Sequence, residues 1–504
     1  MADSIKIIEN GFVFTGDAQQ RSGMLTILIR NDRIAEISTR GDAMKAMNAN
    51  AEVIDARGRA LFPGFVDPHY HGESFVLRPL TNRLPLAKWN KDPQVANAFE
   101  FVRKLATLEQ LKTMYRLGFR AALQSGVTAL AEAGIDTIDR TLRAALEAFS
   151  HSDLRGFVTL HNGDQVDHAK TLKSPATRYL LAAAGEDDLT TYNLQTTARV
   201  AREAKWPIVM QAGETRKQYD ALKKNFQKSP TQLFNEYKLF EQPLMLVHLA
   251  QFEPGDLEIL AQAKMPIVFS PSAIAAKATD IPPFAELVAS GIPIALCGDW
   301  GVSDPLANVK TLMTLLAFEG MQNLQPFSLL DSITRLPATA LGMFNEIGSL
   351  EPAKKADIAA VDISRFRFSG FTPNVNASEL LHLIFTECSA SDISEVMVNG
   401  EFYVREHTLL TYSEEDLANE GRALFADIVA ATGRSNDVAP SLPAVVQQFS
   451  VDGQEDSHPS VDEGFRIVKK NDQPVHATIL PMPAPRRAEL ASETRKVFGE
   501  DEEF

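Results

Sequence analysis

Two histidines one residue apart, His69 and His71, close the run Phe62-Pro-Gly-Phe-Val-Asp-Pro-His69-Tyr-His71. In an extended strand, residues two apart point to the same side, so both imidazoles can face one point and offer two nitrogens to one metal ion. A bare His-x-His triplet arises often by chance, and its setting is what gives it weight. Pro63-Gly64 breaks the chain before it, and Phe65 and Val66 make a β-prone lead-in. The pair therefore falls where a strand would reach its carboxyl end.

The elements around it suggest how such a pair could gain partners. From about residue 61 to 345, β-like and helix-like segments alternate, which favours a parallel sheet with helices outside it. Eight strands are predicted, at 64–69, 128–131, 156–161, 179–182, 207–211, 244–248, 266–270 and 292–298. Eight β/α units mean a (β/α)8 barrel of the triosephosphate isomerase (TIM) type, an α/β fold whose active site lies at the carboxyl ends of the strands. Those ends carry Gln211 and then Glu214 after the fifth strand, His248 on the sixth and Asp299 on the eighth. Singly, each reads as a cap, a turn or a satisfied polar group. Their convergence on one mouth is the signal.

Short strands also flank this long middle on both sides, at 5–8, 11–14, 25–30, 33–37 and 52–55, and again around Ile347 to Asp362 and Glu395 to Val404. They suggest a composite β-sandwich closed by the two ends. The expected division is 1–60 with 347–430 as sandwich, 61–346 as barrel, and 431–504 as an extended arm or tail rich in Pro, Ser, Asp and Gly.

With 504 residues, 45% hydrophobic and 23% charged, the chain has ample material for a large core. A formal charge of −15 argues against non-specific binding to nucleic acid or anionic membranes. No apolar run approaches the roughly 20 residues that span a bilayer. Met1-Ala-Asp-Ser-Ile-Lys lacks the pattern of a signal peptide, so the expected compartment is the cytoplasm. The two cysteines, Cys297 and Cys388, make no CxxC pair and exclude a thiolate zinc site.

The stretch from Ala60 to His71, Arg78, and Leu84-Pro-Leu-Ala-Lys-Trp89 resemble the amidohydrolase superfamily, in the branch of triazine hydrolases (ATZ/TRZ type) and guanine deaminase. So do Val247-His248, Phe269-Ser-Pro-Ser272, Leu296-Cys-Gly-Asp299, Thr334 to Ala338, and the segment from Gly348 to Asp357. The resemblance implies that His69, His71 and Asp299 hold one divalent ion, zinc or iron. Asp299 would also accept the proton of the attacking water, His248 would orient that water or polarise the substrate, and Glu214 would serve as acid/base. A homodimer or higher homo-oligomer acting on a small molecule is the family expectation.

One departure stands out: Gln211 occupies the position where the family has a histidine ligand, and an amide oxygen is a poorer partner for a transition ion than imidazole. Gln211 could coordinate through oxygen, His248 could be the fourth ligand, or His69, His71 and Asp299 could suffice with water. The last, with His248 close by, is the expected arrangement. The fourth strand has no lysine, so a carbamylated bridge between two metals is not expected. Arg78, Arg83 and Arg216 are candidates for a cationic pocket, with Gln211, His161 and Trp300 as further substrate contacts. The implied function is hydrolysis of a C–N bond in a small cyclic or heteroaromatic molecule, as in deamination. Amide, lactam or urea hydrolysis and dehalogenation need the same activated water, and a non-catalytic barrel scaffold is the alternative of another class.

Overall fold

Short β-branched runs build the first part of the chain: β1 (Ile5–Glu9), β2 (Phe12–Phe14), β3 (Ser22–Met24), β4 (Thr26–Arg30), β5 (Arg33–Ser38), β6 (Glu52–Asp55) and β7 (Arg59–Pro63). The structure, a computed structural model, describes residues 4–134, 139–161, 165–167, 177–183, 189–211, 213–301, 303–370 and 376–433, all within the unit Met1–Arg434. A helix over Gly41–Met47 interrupts the strand-rich segment, and its Met44 is buried with Ile7 and Leu28.

The next strands are β8 (Phe65–Tyr70), β9 (Val127–Glu132), β10 (Arg155–Leu160), β11 (Thr177–Ala182), β12 (Ile208–Gln211), β13 (Leu244–Val247), β14 (Ile267–Phe269) and β15 (Ile294–Leu296). They pair in parallel, each with its neighbour in sequence, as expected for the barrel. Past the ends of β15 and β8, Asp299 donates its N–H to the His69 carbonyl and His71 donates its N–H to the Asp299 carbonyl, each over 2.9 Å. These two bonds bring the eighth strand's end against the first.

One layer of side chains from the eight strands fills the barrel interior: Val66, Ala129, Phe157, Leu180, Val209, Met245, Val268 and Ala295 belong to a single buried cluster. Leu341, Met343 and Ile347 join that cluster from the segment that follows the last barrel helices. The alternate strand residues, such as Phe65, Leu130, Val158 and Leu246, pack with the helices in a second, outer core. This alternation is the two-residue period of the strand at work.

The chain returns with β16 (Ile358–Asp362), β17 (Ile393–Val398), β18 (Glu401–Arg405) and β19 (Thr408–Leu409). One sheet runs β5-β4-β1-β6 and the other β19-β18-β17-β16-β7-β2-β3. The antiparallel pairing of β7 with β16, Pro63 opposite Ile358, joins the two ends of the described chain. Ile8, Val13, Ile27, Ile29, Leu61, Ile358 and Met397 share the core between them, so the sandwich is composite as expected. The helix Glu414–Ala431 packs against the helices Ser74–Thr81, Pro93–Glu100 and Leu108–Gln124 of the barrel layer. Of the arm expected from 431 onward, only residues to 433 are described.

Candidate metal centre

Strict alternation along β8 from the inward Val66 would turn His69 away from the barrel axis. A register shift between Asp67 and Tyr70 brings it back. His248 and Asp299 each follow a strand with left-handed backbone, at φ 62° and 50°. Such conformations cost on the order of 1–3 kcal/mol in a non-glycine residue and cluster at functional sites. Three local irregularities thus aim three side chains at one point.

That point is Asp299 Oδ1. It lies 3.4 Å from His248 Nε2, 3.8 Å from His71 Nε2 and 3.9 Å from His69 Nε2. His69, His248 and Asp299 are buried, each at 3% exposure or less. His69 Nε2 and both ring nitrogens of His248 make no hydrogen bond among the described residues. Buried polar atoms are nearly always bonded, so nitrogens aimed at one carboxylate oxygen and left unbonded fit a donor set for a cation. A four-coordinate zinc with bonds of about 2.1 Å would hold its donors about 3.4 Å apart, which the His248 distance meets and the His71 and His69 distances exceed by a few tenths of an ångström. Donor atoms of His69, His248 and Asp299 all lie within 4.8 Å of one another. The residues present fit such an ion.

The surroundings hold these donors in place. Asp67 accepts from the N–H of Gly298 (3.0 Å), the N–H of His69 (3.2 Å) and the hydroxyl of Ser303 (2.5 Å), tying β8 to the chain after β15. Burial pushes its carboxyl up to about 7 against those bonds. On the other side of His71, Nδ1 lies 3.3 Å from Glu73 Oε1. Burial opposes protonation of His71, but Glu73 and Asp299 outweigh it and raise its pKa. Glu73 is fully buried, and His71, Glu73 and Glu132 present donor atoms within 4.8 Å of one another. Burial first and Glu73's charge second hold Glu132 well above the usual carboxylate range, although Gly72 and Gly134 donate to it. Burial, with the neighbouring His71, keeps the His69 pKa well below its ordinary value.

A residue that sequence reading missed sits in the middle. Lys277 ends the helix Pro271–Lys277 after β14, and its Nζ is 2.5 Å from Asp299 Oδ2 and 2.5 Å from Glu214 Oε1. Burial opposes its charge, yet the two carboxylates outweigh burial and raise its pKa. Burial likewise opposes ionisation of Asp299, and Lys277 and His248 outweigh it, holding that carboxyl well below its ordinary range. A lysine in an Ala-Ala-Lys-Ala run carries no motif.

The remaining candidates are placed as follows. Gln211 ends β12 and is exposed, as is Arg216, which pairs with Asp220 at 2.9 Å. His161 Nε2 lies 3.0 Å from the Ala133 carbonyl. Arg78 donates to the Phe75 carbonyl and stacks over the Phe75 ring, while Arg83 pairs with Asp92. Trp300 is 8% exposed, bonds Thr81 Oγ1 through Nε1 (2.8 Å), and packs with Trp89 and Phe99 behind His71. None of Arg78, Arg83 or Trp300 bonds to the histidine and carboxylate cluster.

An eight-stranded parallel barrel whose strand ends gather imidazoles around a carboxylate is the architecture of a metal-dependent hydrolase. A family model confirms the class: residues 60–402 match the Amidohydrolase family, and the chain belongs to it. It is similar to the 5-methylthioadenosine/S-adenosylhomocysteine deaminase of Pyrococcus furiosus, 23% identical over 437 residues that cover 82% of this chain and 98% of that protein. Among solved structures, a zinc-bound adenosine deaminase from Xanthomonas campestris superposes with a TM-score of 0.75 at 18% identity, covering 84% of this chain and 98% of that one. The atrazine chlorohydrolase of Arthrobacter aurescens TC1, complexed with zinc, gives 0.72 at 19% identity, covering 83% and 99%. At these identities the two structures establish the fold.

Proposed function

We propose that this chain is a deaminase or aminohydrolase that uses an activated water to break a C–N bond in a small cyclic or heteroaromatic molecule. The observation that supports it most is the set of three imidazole nitrogens facing Asp299 Oδ1, with Glu214 tied to the same carboxylate through Lys277. His69, His71 and Asp299 would hold one divalent ion, zinc or iron, with His248 close enough to join them. When bound, such an ion lowers the pKa of its water to roughly 7 and polarises the substrate.

The chain's own residues handle the protons. Asp299 accepts the proton of the attacking water, and Glu214 carries a proton to the leaving nitrogen; each transfer typically contributes a factor of about 10² to 10⁴. His248 orients the water, being buried and 3.4 Å from the accepting carboxylate. Gln211, exposed at the end of β12, and His161 are the substrate contacts favoured by position, whereas Trp300 backs His71. The names of the deaminases to which the chain is similar favour a ring amidine as the reacting group.

The test is ammonia release from amino-substituted azines, pterins and purines and from ureas by metal-loaded protein, with ring opening of lactams followed chromatographically. Release from at least one ring compound, lost in Glu214→Gln with metal content kept, is expected. No release from any of them by the loaded protein would contradict the proposal.

A further inference from the structure

Lys277 takes no chemical step in the scheme above, although it pairs with both proton-handling carboxylates. It is 5% exposed, and a lysine is almost never so buried unless paired. The side chain of Glu214 is 15% exposed and that of Asp299 is 3% exposed, so both ion pairs are shielded from water. Since each carboxylate oxygen is 2.5 Å from the one nitrogen, two anions are drawn together that would otherwise repel in a dry site. An ammonium has three N–H groups; one donates to Asp299 Oδ2, and the Glu214 carboxylate faces the same nitrogen as an ion pair. Among the described residues no third acceptor bonds Nζ.

We propose that Lys277 is a further catalytic residue: a permanent cation that clamps Glu214 to Asp299 and offers its third N–H to the substrate atom double-bonded to the reacting carbon. This rests on reading the mouth as a hydrolytic site. As the water oxygen bonds to carbon, the π electrons of C=O or C=N move onto that oxygen or ring nitrogen, and the Lys277 N–H stabilises the charge that develops there. The water proton passes to Asp299 and, by way of Glu214, to the leaving nitrogen as the C–N bond breaks. Lys277 begins and ends as an ammonium. The site therefore selects amidines, amides, lactams and ureas, all of which carry such an acceptor, over amines or halides on a saturated carbon.

The charge balance supports a fixed cation beside a metal site. Glu214 and Asp299 with Lys277 sum to one negative charge, so the pocket still attracts a divalent ion, but Lys277 competes with it for Asp299. A lysine that merely props the carboxylates would help metal binding, whereas this one opposes it.

The experiment compares full-length wild type with Lys277→Met and Lys277→Gln, stripped by chelator and titrated with Zn²⁺, with circular dichroism to check the fold. Both variants are expected to bind Zn²⁺ about tenfold more tightly or better, since a like charge near the ion has gone. On the best ammonia-releasing compound, kcat should fall about 10²- to 10³-fold, the usual effect of losing one donor to a developing anion. Zn²⁺ binding equal to or weaker than wild type, unfolding of both variants, or kcat within about threefold of wild type would each overturn the proposal. Should wild type release no ammonia at all, the proposed function fails, while the Zn²⁺ titration still decides whether Lys277 is a competing charge or a prop.

Discussion

Asp299 donates its backbone N–H to the carbonyl of His69 over 2.9 Å, and its Oδ1 lies 3.9 Å from Nε2 of the same histidine. The contact between the barrel's first and eighth strand ends and the candidate metal centre are thus one piece of structure. Whatever loosens the seam displaces a donor.

Gly298 offers the cleanest way to loosen it. A Cβ there would lie 2.5 Å from Asp67 Oδ2 and 2.9 Å from a ring carbon of Tyr70, so Asp67 would have to leave its bonds to Gly298 and Ser303. Gly298→Ala is expected to cost about 1–3 kcal/mol, as overpacking does. It should lower the thermal midpoint and weaken Zn²⁺ binding together. Unchanged midpoint and affinity would show that Asp67 does not hold the seam.

Glu73 is expected to act on the metal through His71. Its carboxylate lies 3.3 Å from Nδ1 while Nε2 faces Asp299, and outer partners of ligating histidines commonly govern affinity by a factor of about 10 to 100. Glu73→Gln should therefore weaken Zn²⁺ binding about tenfold in a chelator competition while the fold is kept. Equal affinity would mean that His71 is oriented by its packing against Trp300 alone.

Gln211→His puts an imidazole at the end of β12, where the side chain faces open solvent. Imidazole suits transition ions better than an amide oxygen, so Zn²⁺ should bind about tenfold more tightly or better, with turnover reduced as an open coordination position is filled. If affinity did not change, residue 211 would lie outside the reach of the metal.

Much of this site could be read from residue order. The spacing of the His69-Tyr-His71 pair, the alternation that builds eight parallel strands, and Asp299 after the last of them could be read from residue order and from where barrel sites lie, although not the direction in which His69 turns. The sandwich was legible because strand-like runs sit on both sides of the barrel segment. Other parts depend on contacts that no local pattern records. Lys277 ends a seven-residue helix 63 positions after Glu214 and becomes notable only once both carboxylates are beside it. Glu73 and Glu132 look like ordinary surface acids until the fold buries them. Asp67 looks like a turn residue until Gly298 and Ser303 close on it. The register shift in β8 and the left-handed backbone at His248 and Asp299 arise from closure of the barrel, and periodicity alone would have turned His69 outward. The helix Gly41–Met47 was missed for a simpler reason: seven residues hold too few turns for a helical period to stand out.

The central claim is that His69, His71 and Asp299 form a metal centre. Metal content per chain, measured by elemental analysis of gently purified wild type beside His69→Ala and Asp299→Ala, tests it most directly. About one zinc or iron per chain in wild type, falling to roughly a tenth or less in both variants, is the result predicted. A wild type with less than about a tenth of a metal per chain that also gains none on titration with Zn²⁺ or Fe²⁺, or variants that keep full metal content, would contradict it.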